Sequence, residues 1–440
     1  MKGPHWSWYL LIGIALLAPA GGRLLTWPGF RNQALDPQAV QAGQTLFEHE
    51  WKVNDPLAAG GDGLGPVCNA ASCLACHHQG GPGGGGGVEH NVTTFVYNNE
   101  GAATVRGMPR EGVVHAFAVN SIPPETLNLL HDDLPAVSQP RLETVVTLLP
   151  GQQVSENHCA AARPRSAVLI SQRNTPALFG ANLIDAIPDR EIIAIEKKEQ
   201  LRWGLAPKKT ENLPVGRAAR LPDGRIGHFG WKGQSASLSD FVQAACANEL
   251  GLNNPGQAQP RPLSKRDYQS VNYDLTLEQC DQITSFVASL PRPIEKLPDD
   301  SALSSDSLKG KELFTNIGCA DCHQPDVGNV KGLYSDLLLH DMGQPLQGGG
   351  SYNDPLPRPI PDPNRPPSDG PSPGEWRTPP LWGVADSAPY LHDGRAPTLE
   401  KAIEMHGGQG TRSAQSFASL SKSEQDQVIA FLRTLHAPAP

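Results

Sequence analysis

Beyond its first twenty residues the chain has no apolar run long enough to cross a bilayer, which takes about 20 consecutive apolar residues. A membrane span in the mature chain is therefore not expected. Positive charge is also scarce: 36 Lys and Arg stand against 45 Asp and Glu, a net charge of −9. That balance argues against nucleic acid and anionic membrane surfaces as partners. Disorder is excluded by an apolar content of 38%, while 45 glycines and 42 prolines predict a loop-rich protein. Its 440 residues suit two or three domains of about 100 to 200 residues each.

The first residues, MKGPHWSWYLLIGIALLAPAGG, place Lys2 before an apolar run from Tyr9 to Ala18, with small residues at Ala18 and Ala20. This is the layout of a secretory signal spanning residues 1–20. The expectation is a soluble protein outside the cytoplasm, in the periplasm or otherwise exported.

Eight cysteines in an exported chain would ordinarily be read as disulfides. Four of them, however, form two identical patterns, Cys73-Leu-Ala-Cys76-His77 and Cys319-Ala-Asp-Cys322-His323. On a helical turn the cysteines of CxxC share a face, so both sulfurs can join one haem, and the next histidine reaches the iron from that side. Zinc would need four ligands at one ion, and a thioredoxin-type pair does not need the histidine. The motifs therefore predict two covalently bound c-type haems, with His77 and His323 as iron ligands. His78 is expected to be a solvated loop residue. The remaining Cys68, Cys159, Cys246 and Cys280 allow three pairings, of which Cys246 with Cys280 is preferred.

The two halves repeat each other. Gly43-x-x-Leu46-Phe47 and Gly310-x-x-Leu313-Phe314 precede the haem motifs; Thr175-Pro176-x-Leu178-x-Gly180 matches Thr378-Pro379-x-Leu381-x-Gly383. Gly233 and Leu238 then match Gly394 and Leu399, and residues 281–293 match 426–438, Phe286 against Phe431 and Leu290 against Leu435. Such self-similarity means two copies of one structural unit. The expected fold is mainly α: two cytochrome c-like haem domains in tandem, with long irregular loops, at residues 38–293 and 308–438. Residues 294–307, rich in Pro, Ser and Asp, are expected to link them. Two loops break the symmetry, a glycine-rich one at 80–88 and a proline-rich one at 354–374. The first unit also carries a long insertion after its haem motif.

The repeat separates the two haems. His406 falls seven residues after Leu399, on one helical face, where it can close over the second haem as a sixth ligand; the matching position in the first unit is Ala245, which cannot ligate iron. Met405, Met342, His340 and His392 are the other candidate ligands. The first haem is then left with an open face, where proton transfer to and from peroxide needs an acid or base. Glu249 lies just past the position matching His406, and Trp231 precedes the same helix, where an indole can carry electrons between haems.

The stretches DGLGPVCNAASCLACH, RNTPALFGANLIDAIPD, FGWKGQSASL, SDLLLHDMG, EWRTPPLWGV and YLHDGRAPTLEKAIEMHGG closely resemble the bacterial di-haem oxidoreductases, sometimes labelled thiol oxidoreductases. That family is similar in turn to the di-haem cytochrome c peroxidases. The resemblance runs from about Gln38 to Pro438. It implies an electron-transfer haem in the C-terminal unit and a reactive haem in the N-terminal one. In the peroxidases a methionine stands at the place of His406, a catalytic glutamate at a place like that of Glu249, and an inter-haem tryptophan like Trp231. Their glutamine on this helix is matched by Phe241. A calcium ion between the units is a further cofactor that the peroxidases raise and the residues leave open.

The expected function is peroxidase-like oxidoreduction, electrons passing from the C-terminal low-spin haem to the N-terminal one. Expected partners are a small cytochrome c or copper protein, and a peroxide or protein substrate. The alternatives are a non-catalytic electron carrier with both irons six-coordinate, and a thiol-active enzyme.

Overall fold

The computed structural model describes residues 35–97, 109, 111–130, 134, 136, 168–204, 212–265, 267–350, 352 and 370–438. The expected signal at 1–20, Cys159 and most of the proline-rich run lie outside the described residues. In chain order the helices are α1 (Pro37–Glu48), α2 (Cys73–Cys76), α3 (Ala181–Asp185), α4 (Asp189–Trp203), α5 (Leu238–Leu250), α6 (Leu277–Ser289), α7 (Ser301–Asn316), α8 (Leu399–Glu404), α9 (Thr411–Ala418) and α10 (Lys422–Leu432). The fold is mainly α, and no helix among the described residues is long and apolar enough to cross a membrane.

Two helix pairs organise the chain, α1 on α6 and α7 on α10. The opening helix of each pair is capped by an aspartate, Asp36 or Asp300, which accepts from amides in the first turn. Each closing helix starts with a reciprocal capping box, Thr276 with Gln279 and Ser421 with Glu424. The pairs cross at a glycine: a Cβ on Gly43 would lie 1.8 Å from the Gln282 carbonyl oxygen, and one on Gly310 would lie 1.8 Å from that of Gln427. Only a bare Cα lets the backbones approach so closely.

Beside each crossing the aromatic packing repeats. Phe47 meets Phe286 at 5.0 Å and His77 at 6.2 Å between ring centroids; Phe314 meets Phe431 at 5.3 Å and His323 at 6.4 Å. Gly180 and Gly383 both take the left-handed conformation that ends the TPxLxG turns, at φ 72° and 76°.

Strands are short: β1 (Val67–Cys68), β2 (Val92–Tyr97), β3 (Glu111–Val114), β4 (Phe117–Ala118), β5 (Val168–Arg173), β6 (Ile294–Glu295), β7 (Leu339–Asp341), β8 (Glu375–Arg377) and β9 (Leu435–His436). The long insertion of the first half builds an antiparallel sheet in the order β3-β2-β5, with Thr94 opposite Ser171 and Val113. Phe95, Tyr97, Val114 and Ile170 fill a core of their own beneath it. The C-terminal half crosses this sheet, where the Thr94 hydroxyl donates to the Gly349 carbonyl at 2.8 Å. The run expected as a linker, 294–307, carries β6, which pairs with β9, and the first turns of α7. Its Asp300 caps that helix.

Candidate functional site

Ser72 opens α2 by accepting from the Ala75 amide, and the His77 amide closes the turn on the Cys73 carbonyl. Cys73, Cys76 and His77 thereby line one wall of a cavity. Leu178, Ile283, Val287 and Phe47 make its apolar walls. The face of α5 that borders it carries Phe241, Val242, Ala245, Cys246 and Glu249, the three- and four-residue spacing of one helical stripe.

The histidines are prepared as ligands. His77 Nδ1 donates to the Gly84 carbonyl at 3.1 Å and His323 Nδ1 to that of Tyr334 at 3.0 Å. A fixed Nδ1 sets the tautomer and leaves Nε2 to a metal. Burial lowers both rings to a pKa of about 4, so they are neutral at neutral pH, the form that ligates. In the second motif Cys319 opens a single 3₁₀ turn, Cys319–Asp321, entered through left-handed Gly318 and capped by Cys322, whose amide donates to the Cys319 carbonyl.

His406 joins the second motif in space, and its proximity helps to keep His323 neutral. It does so from a different place than expected. The helix that was to carry it, α8, ends at Glu404, and His406 lies in the turn beyond, before Gly407 and Gly408. Its Nδ1 donates to the Ala402 carbonyl at 2.7 Å, again leaving Nε2, and burial lowers its pKa. The capping and ligand roles are thus compatible. Two other candidates have contacts of their own, His340 also approaching Cys322 Sγ at 3.7 Å. His340 binds Asp336 through Nε2 at 3.0 Å and Gln409 through Nδ1 at 2.7 Å, and the His392 ring stacks on Trp376 at 3.7 Å. Met342 lies beside His406, both within about 3 Å of the space a Gly410 Cβ would fill.

Glu249 lines the first cavity, half-buried, instead of standing at the surface. The Asn69 side-chain amide donates to its Oε2 at 2.7 Å, while Oε1 is buried without a hydrogen-bond partner among the described residues. Desolvation raises its pKa, against the pull of Asn69, the neighbouring Tyr352 phenol and His115. Asn69 and Tyr352 carried no motif and were not legible in the sequence. Trp231 borders the same cavity, with its indole N–H donated to the Asn174 carbonyl at 2.9 Å.

The preferred Cys246–Cys280 disulfide is absent: Cys68, Cys246 and Cys280 are free thiols. Cys246 faces the cavity from α5, whereas Cys280 belongs to α6, so their shared core does not bring the sulfurs to bonding geometry. His78 is exposed, as expected. Among the described residues one group of side chains has metal-ligand spacing, Cys322, Asp336 and His340. Its sulfur and nitrogen do not suit calcium, which takes oxygen ligands.

Residues 151–435 match the sequence profile of the family described as "Di-haem oxidoreductase, putative peroxidase". The chain is 30% identical over 227 residues to a cytochrome c551 peroxidase of Nitrosomonas europaea, covering 48% of this chain and 62% of that protein. It is 34% identical over 151 residues to the methylamine utilization protein MauG of Methylorubrum extorquens, covering 32% and 37%. The match thus spans less than two thirds of either relative. A cytochrome c551 peroxidase of Pseudomonas aeruginosa is 27% identical over 350 residues, covering 76% of this chain and 93% of that one. The diheme peroxidase BthA of Burkholderia thailandensis superposes with a TM-score of 0.38 at 13% identity, over 91% of this chain and 86% of that one. The profile match over most of the length of the chain establishes its membership: this protein belongs to the di-haem oxidoreductase family.

Proposed function

We propose that the chain is an exported, periplasmic c-type cytochrome of two tandem cytochrome c-like units, and that it reduces peroxide at the first haem with electrons delivered through the second. Cys73, Cys76 and His77 hold the first haem; Cys319, Cys322, His323 and His406 hold the second. One observation carries the reading. Where the second site offers the imidazole of His406, the first offers the methyl of Ala245 and the carboxyl of Glu249. Equivalent positions in a repeated fold are thus built for different tasks, one to saturate an iron and one to leave room beside it.

When bound, the haems supply electron storage and the site at which peroxide is reduced. The chain's own residues do the remainder. Glu249, held at Oε2 by Asn69, takes or returns a proton at its free Oε1. Phe241 stacks on Phe229 at 6.0 Å and keeps that wall apolar, so the glutamine of the peroxidases has no polar substitute on α5 at this point. Trp231 is clamped between the two halves, its indole on Asn174 and its carbonyl accepting from the Arg377 amide at 2.9 Å, which suits it to carry electrons across the junction. A small cytochrome c or copper protein is the proposed donor.

The decisive measurement is electron paramagnetic resonance of the haem-loaded ferric protein. One high-spin and one low-spin signal are expected. Two low-spin signals that persist after partial reduction would leave an electron carrier and no peroxidase.

A further inference from the structure

Three cations gather around Trp231, Lys232 buried and Arg173 and Arg377 half-buried. Arg173 and Lys232 line the first cavity, and Arg377 donates from Nε to the Gly230 carbonyl at 2.8 Å, on the cavity wall. Among the described residues none of them forms an ion pair with a carboxylate, because the neighbouring acids are engaged: Asp393 with Arg395, Glu375 with Arg217, and Asp336 with His340. Arg173 and Lys232 satisfy their donors with uncharged oxygens, Arg173 on the Gly349 carbonyl at 2.9 Å and Lys232 on those of Ser372 and Pro373, each at 3.0 Å. Both also lie over the Trp376 ring. Arg377 Nη1 is buried without a hydrogen-bond partner among the described residues.

Uncompensated buried charge is costly, by several kcal/mol per ion even after relaxation. Desolvation accordingly lowers Arg173 to a pKa of about 9 and Arg377 to about 10. A fold that keeps two such groups on the wall of one cavity, and a third against the wall residue Gly230, awaits an anion there. Porphyrins of the c type carry two carboxylates on the edge away from the thioether links.

We propose that Arg377 Nη1 donates to a porphyrin carboxylate at the junction beside Trp231, and that Arg173 and Lys232 supply the field that keeps the porphyrin carboxylates of the first site ionised. This rests on the di-haem reading above and deepens it. The cradle fixes which way the porphyrin lies in the cavity. It also favours the reduced, less positive iron, since added positive charge stabilises the extra electron.

The test uses the full-length haem-loaded protein as wild type, Arg377→Gln, Arg377→Lys and Lys232→Gln. Mass spectrometry counts haems, resonance Raman follows the propionate bending band, and spectroelectrochemistry gives both midpoints. Arg377→Gln is expected to shift the band and to lower a midpoint by about 59 mV, a tenfold change in the ferric-to-ferrous ratio for one electron. Arg377→Lys keeps the charge but loses the fork, so it should shift the band and hold the midpoint. Lys232→Gln should lower the midpoint and leave the band in place, because its ammonium donates to backbone carbonyls. Unmoved bands and midpoints in the variants that carry two haems would overturn the proposal. So would a band that responds to added chloride or phosphate, which would identify an inorganic anion as the occupant. A wild-type protein without two haems would instead refute the underlying function.

Discussion

Asn69 grips Glu249 twice: its side-chain amide donates to Oε2 at 2.7 Å, and its backbone amide donates to the Glu249 carbonyl at the same distance. The Asn69 oxygen in turn accepts from the Ala116 amide at 2.9 Å. The carboxyl is thus aimed from outside its own helix, with one oxygen held and the other left toward the cavity. Replacing Glu249 with Gln should lower peroxide turnover by about 10²- to 10⁴-fold, the usual worth of a positioned acid or base.

Asn69→Ala should act through Glu249. Asn69 opposes the rise that burial imposes on the carboxyl, so its loss moves the pKa further up. If turnover needs the ionised carboxylate, the acidic limb of the pH–rate profile shifts to higher pH. A profile that only scales down, with no shift, would assign Asn69 a purely structural part.

The asymmetry between Ala245 and His406 can be inverted. His406→Ala should convert the low-spin haem signal to high-spin, and Ala245→His should convert the high-spin one to low-spin while abolishing peroxide turnover. Spectra unchanged in both variants would remove the assignment of the two sites.

His115 and Glu125 form a buried pair at 2.9 Å that also ties the Asn248 carbonyl at the end of α5. Burial lowers the His115 pKa, but attraction to Glu125 and its hydrogen bond outweigh this and the net shift is upward. A histidine raised in the folded state contributes stability that is complete below its unfolded value, about 6.5, and is lost as pH rises through the folded value. The melting-temperature difference between wild type and His115→Gln should therefore be largest below that value and shrink toward alkaline pH.

Gly310→Ala puts a methyl against the Gln427 carbonyl and should cost about 1–3 kcal/mol through overpacking, read from chemical denaturation. Gly43→Ala should do the same to the first pair. By contrast, Cys68 and Cys280 should ignore thiol reagents until the protein unfolds, since burial pushes them up to about 11 and 12 and only the thiolate reacts.

What the chain determined by itself is local or repeated. A CxxCH turn needs only five residues, so its chemistry announces itself within a few positions. The internal repeat then identified the exception, since His406 against Ala245 is visible by alignment of the halves. Tertiary structure decided what depends on distant neighbours. The helix meant for His406 stops after six residues, because Gly407 and Gly408 follow it and the Ala402 carbonyl takes the imidazole. Glu249 is held by Asn69, 180 residues earlier, and no period or motif encodes such a partner. The three-stranded sheet assembles from segments far apart in sequence, and the cations around Trp231 come from both halves. Their burial comes from the packing of the halves on each other, a quantity that composition and spacing do not carry.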